Sequence, residues 1–486
     1  MKNILLVEPK SADFNIFSMF KIPRMGLAIL GTLAKEKGYT VRVIYEEIIT
    51  LKREHIEWAD VIGISLTTST APRGYKLARS CRAVEGEDGK HRPIIFGGVH
   101  PTFEAEESIR EGDFVMRGEA EQTFLQFLDA ISGGTEADFA SIPGLVWRRG
   151  DDIIYNPMPE KRVEMSSVPE PDWNLLEDYD ISTSNIEPMM TSRGCPFDCS
   201  FCSVTPMFGK KYRYIPVEQV IEELKKSNAG HVFFYDDHFA ANKQRTREIL
   251  KRIVEEKRKG TITVDGFSAQ VRSDIARQPD LLDLMDEAGF NTLFIGFESV
   301  NPETLELYKK GQSVEDIQNA VREIRKRSIR IHGMFVFGSD ADTEETFAAT
   351  VRFARKAKIE TVQFLILTPL PGSLHYQELA AQGRIINSDW NRYDSFNTVY
   401  LPKLMSPYRL QKEMLRSMRK YYSVFGALSW LFRGKPAVTF LRLYGRITLF
   451  RWRLNNMKTM RSLKADSENV FLPEGMRACR PVIEST

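Results

Sequence analysis

The chain is poor in cysteine, in net charge and in long apolar runs. It has only five cysteines among 486 residues, so the disulfide framework of small secreted proteins is not expected. The formal net charge is +2, and no overall basic field indicates nucleic acid as a partner. No apolar run reaches the roughly 18 residues that span a bilayer, and Glu8 interrupts the short apolar start, so no signal peptide is expected. These absences predict a cytoplasmic protein that binds no nucleic acid.

Length and composition are typical of a large globular protein. A chain of 486 residues predicts two or three domains, and a hydrophobic content of 42% is enough for their cores. We expect a first domain over residues 1–135 and a linker with a small hairpin over 136–185. A second domain is expected over 186–385, followed by a helical, basic and aromatic C-terminal domain over 386–486.

The first domain alternates short apolar strands with helices. Strands are expected at residues 4–7, 41–45, 61–65, 93–98 and 114–116, with helices at 25–37 and about 121–131. This alternation predicts a parallel, doubly wound sheet of the Rossmann or flavodoxin-like type, whose ligands bind beyond the carboxyl ends of the strands. The loops at those ends are rich in glycine and hydroxyl groups, so backbone can approach a large ligand closely.

The second domain repeats strand–helix units about every 30 residues. Strands are expected at residues 188–191, 231–235, 262–267, 292–297, 329–337 and 361–367, and helices at 216–226 and 243–257. Six such units predict a barrel-like α/β fold with its chemistry at the carboxyl ends of the strands. Polar candidates at those ends are Asp236, Asp237, Ser268, Gln270, Arg272, Glu298 and Ser299.

One cysteine cluster carries the strongest chemical signal. It has the spacing C-x3-C-x2-C and consists of Cys195, Cys199 and Cys202. The other two cysteines, Cys81 and Cys479, are isolated. Three thiolates cannot close a tetrahedral structural zinc site, but they suit a [4Fe–4S] cluster with one iron left open. A zinc site with its fourth ligand at His231 or His238 is the alternative.

The cysteine spacing, with Phe201 directly before the last cysteine, resembles that of the radical S-adenosylmethionine (radical SAM) superfamily. The resemblance implies a partial (β/α)6 TIM-type barrel, a [4Fe–4S] cluster, and S-adenosylmethionine chelated to the open iron. Reductive cleavage would then give a 5′-deoxyadenosyl radical. It also implies that Asp236 and Asp237 hold the methionine ammonium group and that Glu298 contacts the ribose, whereas helix capping is the alternative for the aspartates. Further implied contacts of S-adenosylmethionine are Ser268, Gln270, Arg272 and Ser299.

The first domain resembles the cobalamin-binding domain of one radical SAM class, the class B methylase-like family. The matching segments are residues 23–27, 97–101 and 117–119, followed by Glu121. The motif that supplies a histidine to cobalt in other proteins is absent, so no cobalt ligand is expected among the seven histidines. A scaffold that binds no cobalamin is the alternative. The implied cobalamin contacts are Ser65, Thr67, Gly97, Gly98, His100, Pro101, Gly118 and Glu119.

The C-terminal region has an unusual distribution of charge. No Asp or Glu lies between Glu413 and Asp466, whereas twelve Lys or Arg residues do, interleaved with aromatic residues such as Trp430 and Phe440. Mixed cationic and aromatic residues predict that segment 416–464 makes a peripheral contact with anionic lipid. A helical cap whose arginines pair with acids of the barrel, a lid for an acidic substrate and, less favoured, an RNA contact are the alternatives.

The resemblance predicts a cobalamin-dependent radical enzyme that transfers a methyl group to an unactivated carbon. The expected substrate is hydrophobic (a lipid, tetrapyrrole or natural product), and a flavodoxin or ferredoxin would supply electrons. One alternative is a radical oxidative cyclase, dehydrogenase or carbon–carbon coupling enzyme without methyl transfer. The other is a zinc-binding scaffold without catalysis.

Overall fold

The computed structural model describes residues 1–12, 22–84, 89, 91–133, 135–179 and 186–470. The isolated Cys479 lies outside the described residues, as does the end of the predicted C-terminal domain.

A seven-stranded sheet forms the N-terminal part of the protein, in the order β2-β1-β3-β4-β5-β6-β7. Its strands are β1 (Asn3–Glu8), β2 (Thr40–Tyr45), β3 (Val61–Ser65), β4 (Ile94–Gly97), β5 (Phe114–Met116), β6 (Leu145–Arg149) and β7 (Asp152–Tyr155). The helices of this part are α1 (Met25–Glu36), α2 (Arg53–Trp58), α3 (Ala71–Arg82), α4 (Val99–Phe103), α5 (Ala105–Glu111), α6 (Thr123–Ile131) and α7 (Glu136–Ser141).

The first five strands are parallel and have the flavodoxin-like order, as the sequence predicts. Apolar side chains alternate along the central strands and enter two separate cores, one on each face of the sheet. In β1, Ile4 and Leu6 belong to one core, and Leu5 and Val7 belong to the other. The hairpin expected between the domains is present, but β6 pairs antiparallel with β5 and therefore extends this sheet.

The second sheet consists of six parallel strands in the order β15-β14-β13-β12-β11-β8. These strands are β8 (Ile186–Met189), β11 (His231–Phe234), β12 (Gly266–Val271), β13 (Phe290–Glu298), β14 (Arg330–Phe337) and β15 (Thr361–Ile366). A short antiparallel pair follows β8 and consists of β9 (Ser192–Arg193) and β10 (Arg213–Tyr214). The accompanying helices are α8 (Val204–Phe208), α9 (Val217–Lys226), α10 (Lys243–Lys259), α11 (Pro279–Ala288), α12 (Pro302–Leu307), α13 (Val314–Ile324), α14 (Glu344–Lys356) and α15 (Leu374–Ala381).

Strand β12 lies four residues later than the sequence pattern predicts. Helix α10 ends at Gly260, and Ile262 and Val264 are buried, but their backbone lies outside the six-stranded sheet. Burial alone produced the alternation that was interpreted as a strand. Ser268 and Gln270 are therefore inside β12 and do not follow it.

The six-stranded sheet is an open barrel with β8 and β15 at its edges. Four helices complete the chain: α16 (Pro407–Tyr421), α17 (Val424–Leu431), α18 (Pro436–Asn455) and α19 (Met457–Val470). The hydroxyl of Tyr422, after α16, donates a hydrogen bond to the Val362 carbonyl at 2.6 Å and accepts one from the Val362 N–H at 3.0 Å. The C-terminal helices thus cover the free edge of β15. Of the helices described, none has both the length and the apolar character to cross a membrane.

Candidate functional site

The cysteine loop begins where β9 ends and is held at its start and between its second and third cysteines. Gly194 has φ +88°, and a Cβ added to it would lie 3.0 Å from the Lys211 carbonyl oxygen, so the turn requires glycine. Between the cysteines, the Ser200 N–H donates to the Tyr308 carbonyl at 3.2 Å, and the Ser200 carbonyl accepts from the His375 N–H at 2.9 Å. Two distant segments therefore fix the loop against the ends of the barrel strands.

All three thiols of the loop are free and half-buried. Burial raises the pKa of Cys202 to about 12 and also raises the pKa of Cys195. The guanidinium of Arg272 lies 3.8 Å from the Cys199 sulfur and stacks 3.8 Å above the centre of the Phe197 ring. A bound metal would hold these thiols as thiolates, and Arg272 would offset part of their negative charge.

The cysteine loop offers sulfur ligands only. His231 starts β11, at the end of the strand opposite the loop, and its ring bonds the Ser268 hydroxyl at 2.8 Å, so it cannot complete a zinc site there. His238 is buried with its ring 6.0 Å from that of Phe197, and burial lowers its pKa to about 3. Among the described residues, no group of three or more His, Cys, Asp or Glu has the geometry to hold a metal ion. The thiolates of a [4Fe–4S] cluster bind separate irons and need not converge on one ion, so this donor set fits a cluster with one open iron.

Asp236 is used inside the protein. Its carboxylate is fully buried and accepts hydrogen bonds from the Thr191 N–H (2.8 Å), the Thr191 hydroxyl (2.8 Å) and the Ser192 N–H (2.6 Å). These bonds fix the turn from β8 to β9 that precedes the cysteines. Neither Asp236 nor Asp237 caps the next helix, because Asn242 occupies that position.

Asp237 points towards the cleft beside the cysteine loop. It is half-buried and accepts a hydrogen bond from the Gly194 N–H at 3.2 Å. Burial raises its pKa to about 6, with the Gly194 bond acting in the opposite direction. Of the two aspartates, Asp237 is therefore the one that can bind a cationic group of a ligand.

Glu298 ends β13 in a strained backbone conformation. Its φ is +58°, which is rare for a residue with a side chain, and the pairing of β13 with β14 is irregular at this point. The buried carboxylate accepts a 2.6 Å hydrogen bond from the Lys310 ammonium. Gln312 donates to the Phe297 carbonyl at 2.9 Å and supports the bend. Sequence analysis missed Lys310 and Gln312, because neither lies near a strand end.

The remaining candidates of the barrel are separated by the structure. Arg272 lies at the carboxyl end of β12, next to the cysteines. Gln270 lies in β12, two residues before Arg272. The Ser299 hydroxyl accepts a hydrogen bond from the Asn301 N–H at 3.1 Å. Ser268 bonds His231 near the amino end of the strands, away from the cysteine loop. The expectation that Ser268 follows its strand at the active end is therefore wrong.

A cavity of about 270 Å³ lies between the N-terminal sheet and the cysteine-loop end of the barrel. Five of the residues predicted from the first domain line it: Ser65, Gly97, Gly98, Gly118 and Glu119. Asp237 and Arg193 line it from the barrel side. Four further lining residues lie far apart in the chain: Arg24, Glu121, Met190 and Tyr235. Arg24 and Glu121 belong to the segments that resemble the cobalamin-binding domain, whereas Met190 and Tyr235 were not predicted as site residues.

The first-domain side of this cavity fits a cobalamin. Gly98 has φ +98°, and a Cβ added to it would lie 2.7 Å from the Leu66 carbonyl oxygen, so this loop presents bare backbone to the cavity. Glu119 and Glu121 each have one buried carboxylate oxygen, Oε2, without a hydrogen-bond partner among the described residues. The rim of a cobalamin carries amide groups, and their N–H donors would satisfy such acceptors.

Arg193 joins the two domains beside the cavity. Its guanidinium donates to Glu119 at 2.8 Å and pairs with Glu121 at 2.7 Å, and Arg213 also donates to Glu119 at 2.8 Å. All four side chains are at most 10% exposed. These ion pairs link the first domain directly to the residue that precedes Gly194 and the cysteines.

Three of the predicted cobalamin contacts do not line the cavity. Thr67 caps a 3₁₀ turn, and its hydroxyl lies 3.1 Å from that of Thr70. His100 is fully buried, its ring bonds the Tyr75 hydroxyl at 3.1 Å, and burial lowers its pKa to about 4. Pro101 is buried in the same short helix. These residues shape the loop from inside the first domain.

A second cavity, of about 490 Å³, occupies the part of the barrel interior nearest the amino ends of the strands. Residues of all six strands line it, and Tyr444 and other residues of α18 form a further wall. Its surface combines aromatic rings, such as Phe233 and Phe294, with polar groups, such as Arg330 and Gln363. This chamber has the size and the mixed lining of a small-molecule site.

Comparison with known proteins agrees with this geometry. Residues 189–354 match the radical SAM superfamily, and residues 18–128 match the B12 binding domain. The uncharacterized methyltransferase PH0819 of Pyrococcus horikoshii is 29% identical over 438 residues, covering 87% of this chain and 92% of the relative. Bacteriochlorophyllide d C-12(1)-methyltransferase of Chlorobaculum tepidum is 25% identical, covering 90% of each chain.

Further relatives and solved structures share this organisation. The anaerobic magnesium-protoporphyrin IX monomethyl ester cyclase of Rubrivivax gelatinosus is 25% identical, covering 78% of this chain and 67% of the relative. The fold is similar to that of the radical SAM methyltransferase TsrM of Kitasatospora setae, with a TM-score of 0.70, 17% identity and coverage of 96% of this chain and 100% of that chain. The two matched segments together cover more than half of the chain. The chain therefore belongs to the radical SAM superfamily, in the group with a B12 binding domain, and is an enzyme that uses a [4Fe–4S] cluster, S-adenosylmethionine and cobalamin.

Proposed function

We propose that this enzyme transfers a methyl group to an unactivated carbon of a hydrophobic substrate. The observation that carries the proposal is the cavity between the domains, because it brings Gly98 and Glu119 of the B12 binding domain opposite Asp237 and Arg193, the residue that precedes Gly194 and the cysteine loop. A cobalamin held there would lie next to S-adenosylmethionine. When bound, the cluster and S-adenosylmethionine supply a 5′-deoxyadenosyl radical, and methylcobalamin supplies the methyl group.

The residues around the cysteine loop have distinct proposed roles. Cys195, Cys199 and Cys202 hold the cluster, and Asp237 accepts hydrogen bonds from the methionine ammonium group. Glu298, with its carboxylate set by Lys310, contacts the ribose hydroxyls. Asp236 acts indirectly, since its three hydrogen bonds orient the turn that leads to the cysteines.

On the other side of the cavity, the glycine loop and two carboxylates hold the cobalamin. Gly97 and Gly98 allow its face or side chains to approach the backbone, and the unpaired oxygens of Glu119 and Glu121 accept hydrogen bonds from its amides. The buried histidine His100 supports the loop from inside the first domain, with its ring bonded to the Tyr75 hydroxyl. Arg193 keeps both carboxylates in place.

The barrel chamber suits the apolar body of a hydrophobic substrate, whose reacting carbon would extend along the barrel interior towards the cysteine-loop end. Phe233 and Phe294 would pack against its apolar body, while Arg330 and Gln363 would bind its polar substituents. The relative from Chlorobaculum acts, by its name, on a bacteriochlorophyllide, which has this mixed character. A reductant such as flavodoxin or ferredoxin would supply the electrons. We propose that the enzyme works in the cytoplasm with a peripheral membrane contact.

A radical cyclisation without methyl transfer is the second candidate. It is favoured by the relative named as a cyclase, which is also 25% identical to this chain, although the match covers 78% of the chain against 90% for the bacteriochlorophyllide methyltransferase. Both reactions would use the same cluster, Asp237 and Glu298. They differ in whether carbon is added to the substrate.

The deciding experiment is anaerobic turnover with S-adenosylmethionine carrying a deuterated methyl group. The enzyme is reconstituted with iron, sulfide and hydroxocobalamin, and a tetrapyrrole panel is offered with chemical reductant. Methyl transfer predicts a product that gains the deuterated methyl group, whereas cyclisation predicts loss of hydrogens without label. Cys199→Ala should abolish either product, and the buried Cys81→Ala, outside the cysteine loop, is the matched control. Loss of hydrogens without label in the product would refute methyl transfer.

A further inference from the structure

Helices α17 and α18 present large apolar side chains to solvent. Phe425 and Phe432 are 88% and 89% exposed, near the ends of the short α17. Along α18, exposed apolar residues recur at spacings of seven, three and four, which places them on one side of the helix. We call this surface the α17–α18 face; its residues are Val424, Phe425, Leu428, Leu431, Phe432, Phe440, Ile447, Phe450 and Leu454. A cluster of this kind indicates an interaction surface, whereas single exposed apolar residues do not.

Cations surround the α17–α18 face, and the chain from Met414 to Ala465 contains no carboxylate side chain. Arg433 directly follows Phe432, and Arg451 and Arg453 follow Phe450 on either side of Trp452. All three arginines are exposed, and none forms an ion pair with a described residue. A groove of about 700 Å³ between α16, α18 and α19 adds further cations next to apolar walls. The groove is lined by Lys412, Arg416, Arg419, Arg446 and Arg453, together with Tyr408, Leu415, Leu449, Phe450 and Met460.

Some cations of the basic segment stabilise the packing of the C-terminal helices on the barrel, and these differ in role from the exposed cations. Arg442 is buried and donates to the carbonyls of Glu360 (3.2 Å) and Tyr421 (2.6 Å), and Lys435 pairs with the Glu360 carboxylate at 3.2 Å. These contacts hold α18 against the barrel. Arg446 also joins α18 to α16, because it donates to the Arg419 carbonyl at 3.1 Å, whereas Arg451 and Arg453 make no such contact among the described residues.

We propose that the α17–α18 face docks on an anionic lipid bilayer, with its phenylalanines among the acyl chains and its arginines at the headgroups. Aromatic and aliphatic residues ringed by cations match this surface in charge and in polarity. A second copy of the chain would bring like charges together, which disfavours self-association through this face. Docking in this way would also bring the barrel chamber close to the bilayer. Val438, Leu441, Tyr444 and Gly445, on another side of α18, line the barrel chamber, so docking brings the chamber's lateral wall next to the membrane.

Vesicle sedimentation of the reconstituted, full-length holoenzyme tests the proposal. The vesicles consist of phosphatidylcholine alone or of phosphatidylcholine mixed with phosphatidylserine. We expect binding to the mixed vesicles at low salt, with release as salt is raised. Phe425→Ser/Phe432→Ser should weaken binding by about tenfold or more, because it removes buried apolar area. Arg451→Gln/Arg453→Gln should weaken it by about fivefold for each cation removed.

Matched controls change the same kinds of side chain elsewhere on the surface. Leu404→Ser replaces a residue that is 57% exposed, and Lys251→Gln removes an exposed cation of α10; neither should alter binding. Each variant must keep its iron content and its production of 5′-deoxyadenosine. Equal sedimentation with both vesicle types at low salt would overturn the proposal, as would face variants that bind like the controls.

Sedimentation velocity without vesicles distinguishes a second copy as the occupant. If the wild type dimerises and the face variants do not, while vesicle binding is unchanged, the face is an interface between copies and the lipid proposal fails. Vesicle binding is measured without substrate turnover. Its failure would therefore leave the proposed methyl transfer standing, and failure of methyl transfer would not affect the docking result.

Discussion

Replacing Arg193 with methionine tests the link between the domains. Methionine keeps much of the side-chain length but removes the guanidinium that pairs with Glu119 at 2.8 Å and Glu121 at 2.7 Å. Glu119 keeps a second partner in Arg213, whereas Glu121 is left without a cation. Removing one member of a buried ion pair typically destabilises a protein by about 3–5 kcal/mol, because the remaining charge is desolvated and unpaired.

Thermal unfolding of the apoprotein measures this loss. For a domain of about 200 residues, 3–5 kcal/mol corresponds to a decrease in Tm of roughly 10 °C. Adding Glu121→Gln to Arg193→Met removes the unpaired charge, so the double variant should unfold at a higher temperature than Arg193→Met alone. Cobalt retained after reconstitution should fall in the single variant, since Glu121 lines the cobalamin side of the cavity.

An exposed ion pair is the matched control for Arg193. Arg53 and Glu57 lie 2.6 Å apart on α2 with exposures of 74% and 44%, and Arg53→Met should change stability by less than about 1 kcal/mol. If Arg193→Met lowers Tm no more than Arg53→Met does, or if Glu121→Gln fails to restore stability, then the ion pairs do not hold the domains together as argued.

Three further predictions concern the glycine loop, a buried acid and the ribose contact. Gly98→Ala should lower Tm and cobalt content, since the new Cβ would lie 2.7 Å from the Leu66 carbonyl oxygen at a positive φ. Burial raises the Glu223 pKa to about 8, so the folded protein keeps a proton that the unfolded chain releases near pH 4.5. The stability of the wild type therefore falls as pH rises from about 5 to 8. Because Glu223→Gln removes this titration, its Tm advantage over the wild type should grow across the same pH range. Glu298→Gln should weaken binding of S-adenosylhomocysteine, measured by equilibrium dialysis, by about tenfold, because a charge-assisted hydrogen bond is lost.

Each of these predictions has its own control and refuting result. Gly150→Ala shares the positive φ but meets no atom within 4 Å, so a loss equal to that of Gly98→Ala would show that contact is not the cause. A Tm difference for Glu223→Gln that is constant across pH would contradict the buried acid. Glu303→Gln changes an exposed carboxylate on α12, and equal affinities of this variant and Glu298→Gln would refute the ribose contact.

Local patterns in the sequence predicted the elements and the centre of the site. Short apolar runs such as those at β1, β3 and β5, separated by helices, predicted that the first sheet is parallel. The spacing of the three cysteines predicted a cluster, because all three ligands lie within eight consecutive residues. These features depend on neighbours in the chain, which a sequence displays directly.

Contacts between distant segments were not predictable in the same way. Asp236 and Asp237 are adjacent and chemically alike, yet backbone geometry buries one behind Thr191 and turns the other to the cavity. The partners of Arg193 lie more than 70 residues away in another domain. Ser268 was misplaced because buried residues before β12 imitate a strand.

The hydrogen bonds of Tyr422 have a consequence for the open edge of the barrel. An edge strand with unpaired backbone N–H and C=O groups can pair with a strand of another chain and lead to aggregation. Here the hydroxyl of Tyr422 forms hydrogen bonds with both the N–H and the carbonyl of Val362, and thereby blocks strand pairing at this point of the β15 edge. The C-terminal segment that contains Tyr422 also contains the cationic helices. A chain shortened to the barrel would therefore lose the proposed lipid-binding face and expose the unpaired edge of β15 together.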